Sequence, residues 1–438
     1  MLKFFHLSLL LSAGVHAAVL RIPTEWLHDS PSLENPQRPQ QPWLQNPLNA
    51  GRGAIGRPRS QDSLLTLELS IGTPAQRIRM VPDLTSNIFI VPTASCHAKP
   101  RSRDRNCKDS EVFESSQSST YLGGPTIPEI PWRETVYRGH LARDVISFGP
   151  NGGTWNKSFT EATQVHTRSH STSAGSLGVF GLKSGGSFAD SVSLFQGMLD
   201  AGHLDDKIFG IELPQGHRSG QLTLGGLDHG LTLQDVDMMP ATSSETLGWA
   251  VEAKYIGHTD SGFSLVVQLE NCTAELDFNF PGFAFPRPFL QNILNALDSP
   301  PEPGFTADAI TFPCDHRQQL PTITIGLAQN EYKLTAFEYA YEIGNEKNGL
   351  KMCAVRIHSA SAPPARRGSC MILGRQFFST FYSVFDVENM KVGCRCHAPV
   401  FRNMLTAGSH QTKRFLSVSG VSRNLADRRP TVAHVNGV

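Results

Sequence analysis

Two stretches of this chain carry the same residue pattern, and their spacing restricts the folds that the chain can adopt. MVPDLTSNIFIVP, residues 80–92, and AELDFNFPGFAFP, residues 274–286, align on Asp83 and Asp277 with an offset of 194 residues. In both stretches an apolar residue follows the aspartate directly, a phenylalanine stands six positions on and a proline nine positions on. One aspartate between apolar runs decides nothing, but two in matching contexts indicate an internal repeat.

A second match supports the repeat. Val179-Phe180-Gly181 and Ile372-Leu373-Gly374 share the order apolar, apolar, glycine at an offset of 193 residues. Two matches at nearly the same offset predict a duplication, in which each half is a β lobe with one aspartate on the loop after an apolar strand.

Length and pattern agree with two lobes. The chain has 438 residues, which is more than one compact core usually holds. From Ser63 to about residue 400, short apolar runs broken by Gly, Pro, Asn and Ser predict a mainly β fold. A few short helices are expected, such as PFLQNILNAL at residues 288–297. We therefore predict an N-terminal β lobe over residues 61–245 and a C-terminal β lobe over residues 246–400.

The two ends of the chain differ from the lobes. Residues 1–17 combine a lysine, an apolar run and a small-residue cleavage site, which is the pattern of a secretory signal peptide. Residues 18–60 are rich in Pro, Gln, Asn and Arg, and we interpret them as a pro-segment or a disordered arm. Residues 401–438 are polar and weakly basic and are predicted to form a disordered tail. The protein is therefore expected to be secreted, with a location in the extracellular space or in the secretory pathway or vacuole.

The charge balance bears on the partners of the protein. The 39 Lys and Arg residues equal the 39 Asp and Glu residues, which argues against a nucleic-acid-binding or membrane-surface protein. After the signal, no stretch is long and apolar enough to cross a bilayer. We expect a monomer without nucleic-acid or membrane partners.

Eight cysteines in a secreted chain predict disulfides. Cys96 and Cys107 bracket a charged loop that they are expected to close, and Cys314 with Cys353 is expected to close a second loop. Spacing alone does not pair the other four, which are Cys272, Cys370, Cys394 and Cys396. The run at residues 394–397 lacks a second ligand pair at zinc-finger spacing, so no metal is expected. Asn156 begins a glycosylation sequon.

The repeat also predicts where the two aspartates lie. Related lobes usually pack about an approximate two-fold axis, which brings equivalent loops together. Asp83 and Asp277 are therefore expected face to face in the cleft between the lobes. Two carboxylates this close do not both ionise easily, so one proton is shared. Such a pair can activate one water, because the charged carboxylate takes its proton while the neutral one polarises a carbonyl.

At this point the chain resembles the pepsin-like aspartic peptidases, from about Leu65 to Val400. The segments that carry the likeness are LSIGTPAQ, SSTY, GVFGL, SGQLTLGGLD, LPTITI and CMILGRQFFSTFYSVFDVENMKVG, in the order of the family. The resemblance implies a bilobal, mainly β acid protease fold with Asp83 and Asp277 as the catalytic pair. It also implies direct attack by water on an extended peptide, without metal or cofactor, and a zymogen whose pro-segment covers the cleft.

The catalytic loops depart from the family, which has Asp-Thr-Gly or Asp-Ser-Gly at both sites. Here the triplets are Asp83-Leu84-Thr85 and Asp277-Phe278-Asn279. Loss of both glycines predicts backbone strain of about 1–3 kcal/mol per loop if the family geometry is kept. Loss of both hydroxyls removes a clasp between the lobes, where Leu84 and Phe278 can pack instead. Ser86 stands where the family commonly has a serine that bonds the first aspartate, whereas the matching Phe280 cannot do so.

The hairpin that covers the substrate in the family also differs. Trp132 stands in place of the usual tyrosine, and Arg133 stands in place of the usual glycine. Tryptophan can still cover a ligand and donate one N–H, but the tyrosine hydroxyl is lost.

Three functions are compatible with these residues. The first is an aspartic endopeptidase that is made as a zymogen, with either ordinary activity or weak or narrow activity. The second is an inactive pseudo-peptidase that binds peptide, glycan or protein in the cleft. The third is an acid–base enzyme for a small metabolite, which predicts that Trp132, Phe278 and Phe280 narrow the cleft to an enclosed apolar pocket.

Overall fold

The structure, a computed structural model, describes part of the chain. The described residues are 19–27, 64–93, 112–133, 135–148, 153–167, 177–183, 194–213, 219–227, 233–242, 248–259, 264–296, 310–342, 351–360, 369–396 and 432–433. The predicted signal peptide and the predicted loop between Cys96 and Cys107 lie outside them.

Strands dominate the described residues, as the sequence predicts. In chain order they are β1 (Leu20–Leu27), β2 (Leu64–Ile71), β3 (Gln76–Asp83), β4 (Phe89–Pro92), β5 (Leu122–Thr126), β6 (Ile130–Trp132), β7 (Thr135–Ser147), β8 (Thr154–Thr167), β9 (Gly178–Gly181), β10 (Ile208–Glu212), β11 (Gly220–Leu224), β12 (Asp237–Thr242), β13 (Ala250–Thr259), β14 (Ser264–Leu276), β15 (Phe283–Phe285), β16 (Ile310–Pro313), β17 (Thr322–Leu327), β18 (Asn330–Leu334), β19 (Ala340–Glu342), β20 (Met352–Val355), β21 (Ile357–Ser359), β22 (Met371–Leu373), β23 (Phe381–Asp386), β24 (Lys391–Cys396) and β25 (Val432–Ala433).

The helices are short. They are α1 (Leu194–Asp200), α2 (Arg287–Ala296), α3 (Ala336–Tyr339) and α4 (Arg375–Thr380), with single 3-10 turns at Ser115–Gln117, Leu233–Asp235 and Cys314–Gln319. The helix predicted over residues 288–297 is thus found within one residue. None of the helices in the described ranges has the length and apolar character that a membrane crossing needs.

The repeat that the sequence predicts is also found in the structure, because each half contains an equivalent pair of parallel strands. In the first half, β3 runs parallel to β9, with Val81 opposite Val179. In the second half, β14 runs parallel to β22, with Glu275 opposite Ile372. Each aspartate therefore stands at or just beyond the end of the first strand of an equivalent strand pair. This confirms the mainly β, bilobal architecture that the resemblance implied.

The glycines of the second sequence match let the aspartate loops approach these strands. A Cβ atom added to Gly181 would lie 2.5 Å from the Ser86 carbonyl oxygen, and one added to Gly374 would lie 2.4 Å from the Phe280 carbonyl oxygen. Because real Cβ atoms do not come this close to a backbone oxygen, only glycine fits at either position.

Strands from both halves meet at the junction between them. β10 pairs antiparallel with β23, and the rings of Phe209 and Phe385 stack there with centroids 4.6 Å apart. Both rings are fully buried in the largest core cluster. The contact is a continuous apolar seam, which fixes the halves beside each other.

Two terminal segments correct the sequence interpretation in part. Residues 20–27 fall in the predicted pro-segment or disordered arm, yet they form β1, which lies between β2 and β11. Alternate apolar side chains of β1, such as Leu20 and Ile22, are buried, and this burial gives the segment an ordered place. In the predicted disordered tail, β25 pairs with β14. The lobe boundaries stay a prediction.

Cysteine pairing is resolved for four residues. A disulfide joins Cys314 to Cys353, as expected, and another joins Cys272 to Cys370, a pairing that spacing left open. Cys394 is buried on β24. Asn156 is exposed on β8, and its glycosylation stays a prediction.

Candidate active site

Asp83 is the last residue of β3 and is completely buried. Its carboxylate accepts hydrogen bonds from Thr85 Oγ1 at 3.0 Å, Ser86 Oγ at 2.6 Å and Trp132 Nε1 at 3.0 Å. Charge-assisted bonds of this kind stabilise the ionised form of a carboxylate. Thr85 and Ser86 thus both direct their hydroxyls at the first acid, in their own loop.

Asp277 directly follows β14 and is 7% exposed. Its Oδ1 atom accepts a hydrogen bond of 3.0 Å from the backbone N–H of Asn279. The residue therefore has a backbone donor of its own loop, while the hydroxyl donors are concentrated on Asp83. The two aspartates therefore hold equivalent positions after their strands, but their carboxylates accept hydrogen bonds from different kinds of donor.

Arg133 brings the two aspartates into one cluster. Its Nη2 atom lies 2.8 Å from Asp277 Oδ1, 2.9 Å from Asp277 Oδ2 and 3.3 Å from Asp83 Oδ1. A single atom therefore contacts both carboxylates, so they face each other across one point. The guanidinium occupies that point, where the sequence interpretation expected a shared proton and a water.

The hairpin turn explains how Arg133 reaches the carboxylates. Trp132 and Thr135 pair at the end of β6 and β7, so the loop has two residues. Arg133 is its first residue and has a φ of +53°, as the common two-residue turns of hairpins require. Its guanidinium also lies 5.5 Å from the centre of the Trp132 ring. A glycine would take this φ freely, whereas an arginine is strained.

The charges around Arg133 fix its protonation state. Burial alone lowers the pKa of a guanidinium, but attraction by Asp277 and Asp83, and their hydrogen bonds, raise the pKa of Arg133 above its usual range. The side chain is 24% exposed. Because a raised pKa keeps the group charged at any pH near neutrality or below, only the carboxylates can make this contact sensitive to acid.

The predicted strain is not found in the two aspartate loops. The non-glycine residues with positive φ in the described ranges are Arg133, Asn271, Ala328 and Met390. Thr85 and Asn279, which replace the glycines of the family, both keep negative φ. The loops therefore do not keep the geometry for which strain was predicted, and the strained backbone lies in the hairpin instead.

The apolar replacements in the loops are buried. Leu84 and Phe278 are both fully buried in the same core cluster, and the Phe278 ring packs edge-on against Phe378 with centroids 5.7 Å apart. Phe280 belongs to another cluster, with Ala284, Ala360 and Ile372.

Trp132 is in a third cluster, which includes Ile130 and Tyr137. Trp132, Phe278 and Phe280 therefore belong to three separate core clusters, and the small-metabolite hypothesis stays a prediction.

Trp132 and Trp249 offer a matched test of the charge on Asp83. Both indoles are buried, and Trp249 donates to the neutral carbonyl of Leu182 at 3.0 Å. Bonds to charged groups contribute about 1.5–3 kcal/mol and neutral ones about 0.5–1.5 kcal/mol. In urea unfolding near neutral pH, we expect Trp132→Phe to lower the free energy of unfolding more than Trp249→Phe does. Equal losses would contradict a charged acceptor at Asp83.

Comparison with known proteins places the chain in a family. Residues 66–396 match the family described as "Eukaryotic aspartyl protease". The chain belongs to this family. The match includes both halves of the repeat, the hairpin with Arg133 and both aspartates, so the departures described above lie inside the aspartyl protease domain.

Curated relatives in the aspartyl protease family are distant. The chain is 26% identical to "Renin-2" of Mus musculus over 329 residues, which cover 74% of this chain and 78% of the relative. It is 26% identical to "Cathepsin D" of Gallus gallus over 330 residues, covering 74% and 79%. It is also 26% identical to "Cathepsin D" of Dictyostelium discoideum over 397 residues, covering 90% and 98%.

Sequence reasoning named Arg133 as a departure from the aspartyl protease pattern but missed its contact with the acids. The available signal was its chemistry: a long cation at the tip of a hairpin that covers two carboxylates. The sequence also gave no role to the hydroxyl of Thr85 or to the side chain of Asn279. Thr85 bonds an acid two residues away, whereas the partners of the Asn279 side chain are 197 and 214 residues away.

Proposed function

We propose that this protein is an aspartic endopeptidase of low activity, in which Arg133 blocks the Asp83–Asp277 pair. The observation that supports this most is the contact of one guanidinium nitrogen with both carboxylates. The same contact supports two inferences. The acids are close enough to act on one water, and the position of that water is taken while Arg133 is in place.

Hydrolysis then requires Arg133 to leave. The hairpin of β6 and β7 carries Arg133 at its tip, so a substrate that enters the cleft has to displace the guanidinium. Once it is displaced, the two carboxylates share a proton and activate a water between them. The rate is limited by the fraction of molecules in which the pair is free.

Acid is expected to favour the unblocked state. Protonation of either carboxylate removes one of the two charges that hold Arg133, while the guanidinium itself stays charged. The attraction between Arg133 and the two carboxylates therefore weakens as the pH falls. The same protonation supplies the proton that general acid catalysis needs.

A digestion experiment tests this proposal. The purified protein is incubated with a peptide library over a series of pH values, beside Asp83→Asn and with a pepsin-type inhibitor. We expect slow cleavage that increases towards acid, is blocked by the inhibitor and is absent in Asp83→Asn. Cleavage that persists in the Asn variant would show that the pair is not responsible.

A second candidate is a pseudo-peptidase that binds peptide without turnover. The same ion cluster supports it, because a buried pair of charges with good geometry can be a permanent structural feature. The two candidates differ in one expected result: freeing the pair restores hydrolysis in the first and does not in the second.

We also propose that the protein enters the secretory pathway, acts there or outside the cell, and is made as a zymogen. The signal-like pattern of residues 1–17 supports the first part. A relative named "Vacuolar protease A" of Aspergillus fumigatus is 27% identical over 337 residues. N-terminal sequencing of the secreted protein tests this, and a protein that still begins at Met1 would contradict signal cleavage.

A further inference from the structure

We infer that Asn279 is a positioning residue that fastens the two halves of the molecule together at the aspartate pair. Its side chain is almost fully buried, at 3% exposure. The amide Nδ2 donates to the Pro82 carbonyl oxygen at 2.7 Å, and Oδ1 accepts from the Leu65 backbone N–H at 3.3 Å. Both ends of one amide are therefore used, each by a strand of the other half.

The contacts of Asn279 connect both aspartates. Pro82 is bonded to Asp83 in the chain, so the Nδ2 contact fixes the backbone immediately before the first acid. The backbone N–H of Asn279 donates to Asp277 Oδ1 at 3.0 Å, which orients the second acid. A single residue thus sets the separation of the two carboxylates that Arg133 contacts.

The residue that matches Asn279 in the repeat is Thr85, and its hydroxyl turns to Asp83 in its own loop. The residues beside the acids, Leu84 and Phe278, are buried in the core and have no polar group to offer. The amide of Asn279 has both a donor and an acceptor, so one side chain satisfies a carbonyl and an N–H at once.

The inference does not depend on hydrolysis, because it concerns the joining of the halves. Loss of the amide frees the Leu65 N–H, whose exchange with solvent then reports the clasp directly. Amide exchange of the full protein is measured by NMR for wild type, Asn279→Ala and Asn279→Gly. We expect exchange at Leu65 to become at least about tenfold faster in both variants, relative to Leu67 on the same strand.

Asn389 provides the control. Its backbone N–H and Nδ2 both bond to Asp386 at 2.9 and 2.8 Å, and both residues lie in the second half. Asn389→Ala should leave the ratio of Leu65 to Leu67 exchange unchanged. The contacts of Arg133 with both acids also predict a slowly exchanging guanidinium signal in the wild-type protein. We expect this signal to persist in Asn389→Ala and to be lost in Asn279→Gly.

Two results would overturn the inference. Fast exchange at Leu65 in the wild-type protein would do so without any variant, and so would an unchanged Leu65 to Leu67 ratio in a folded Asn279 variant. Equal acceleration of Leu65 and Leu67 is one form of this unchanged ratio, and it would indicate general destabilisation instead of a local clasp.

Discussion

Replacing Arg133 with glycine is expected to increase peptide cleavage at acid pH by about 100-fold or more over wild type, since general acid–base catalysis contributes about 10²–10⁴-fold. The variant removes the cation that lies between Asp83 and Asp277. It also relieves the hairpin, because glycine takes a φ of +53° without strain. The freed carboxylates can then share a proton and hold a water.

Arg138 supplies the matched control for this variant. It lies on β7 of the same hairpin and is bonded to Glu129 instead of the acids, so Arg138→Ala changes the charge without freeing the pair. We expect wild-type activity in Arg138→Ala and no activity in the double variant Arg133→Gly, Asp83→Asn. If Arg133→Gly cleaves no faster than wild type, the block is not what limits activity, and the pseudo-peptidase candidate is favoured.

The second large effect is on stability. Asp83→Ala is expected to lower the free energy of unfolding by about 3–5 kcal/mol near neutral pH, as when one partner of a buried ion pair is removed. The change leaves the buried Trp132 N–H without its acceptor and takes one of two counter-charges from Arg133. Denaturant unfolding followed by tryptophan fluorescence measures the loss.

Two comparisons isolate the charge in that measurement. Asp83→Asn keeps the shape and one acceptor, so it should cost less than Asp83→Ala. Asp386→Ala removes another buried carboxylate, whose bonds go to Asn389, and should also cost less. An Asp83→Ala loss no greater than that of Asp386→Ala would contradict a buried ion cluster.

The fold could be predicted from the sequence because each half of the repeat contains the same short patterns of neighbouring residues. The matches around Asp83 and Asp277 and at Gly181 and Gly374 are made of neighbouring residues, and their pairing in β3 with β9 and β14 with β22 follows from that pattern. The ordered strand β1 was not predicted, because its partners β2 and β11 are distant in sequence and its own residues have no distinctive composition.

The site was predicted less completely, and the reason is physical. The identity of the two acids depends on local sequence, and so does their place after apolar strands. The side chains that contact the two acids come from segments that are distant in sequence, so these contacts depend on the folded structure. Arg133 is 144 residues from Asp277, and Asn279 is 214 residues from Leu65, so no local pattern indicates either contact.

The central claim is that Arg133 occupies the point between the two carboxylates, and inhibitor affinity tests it most directly. A peptide-like inhibitor with a hydroxyl for that point is titrated calorimetrically into wild type and Arg133→Gly at the same pH. Apparent affinity falls with the fraction of molecules that can bind, so we predict binding at least about 100-fold tighter in the glycine variant. Equal dissociation constants would contradict the account, because the hydroxyl would then find the point open in the wild-type protein.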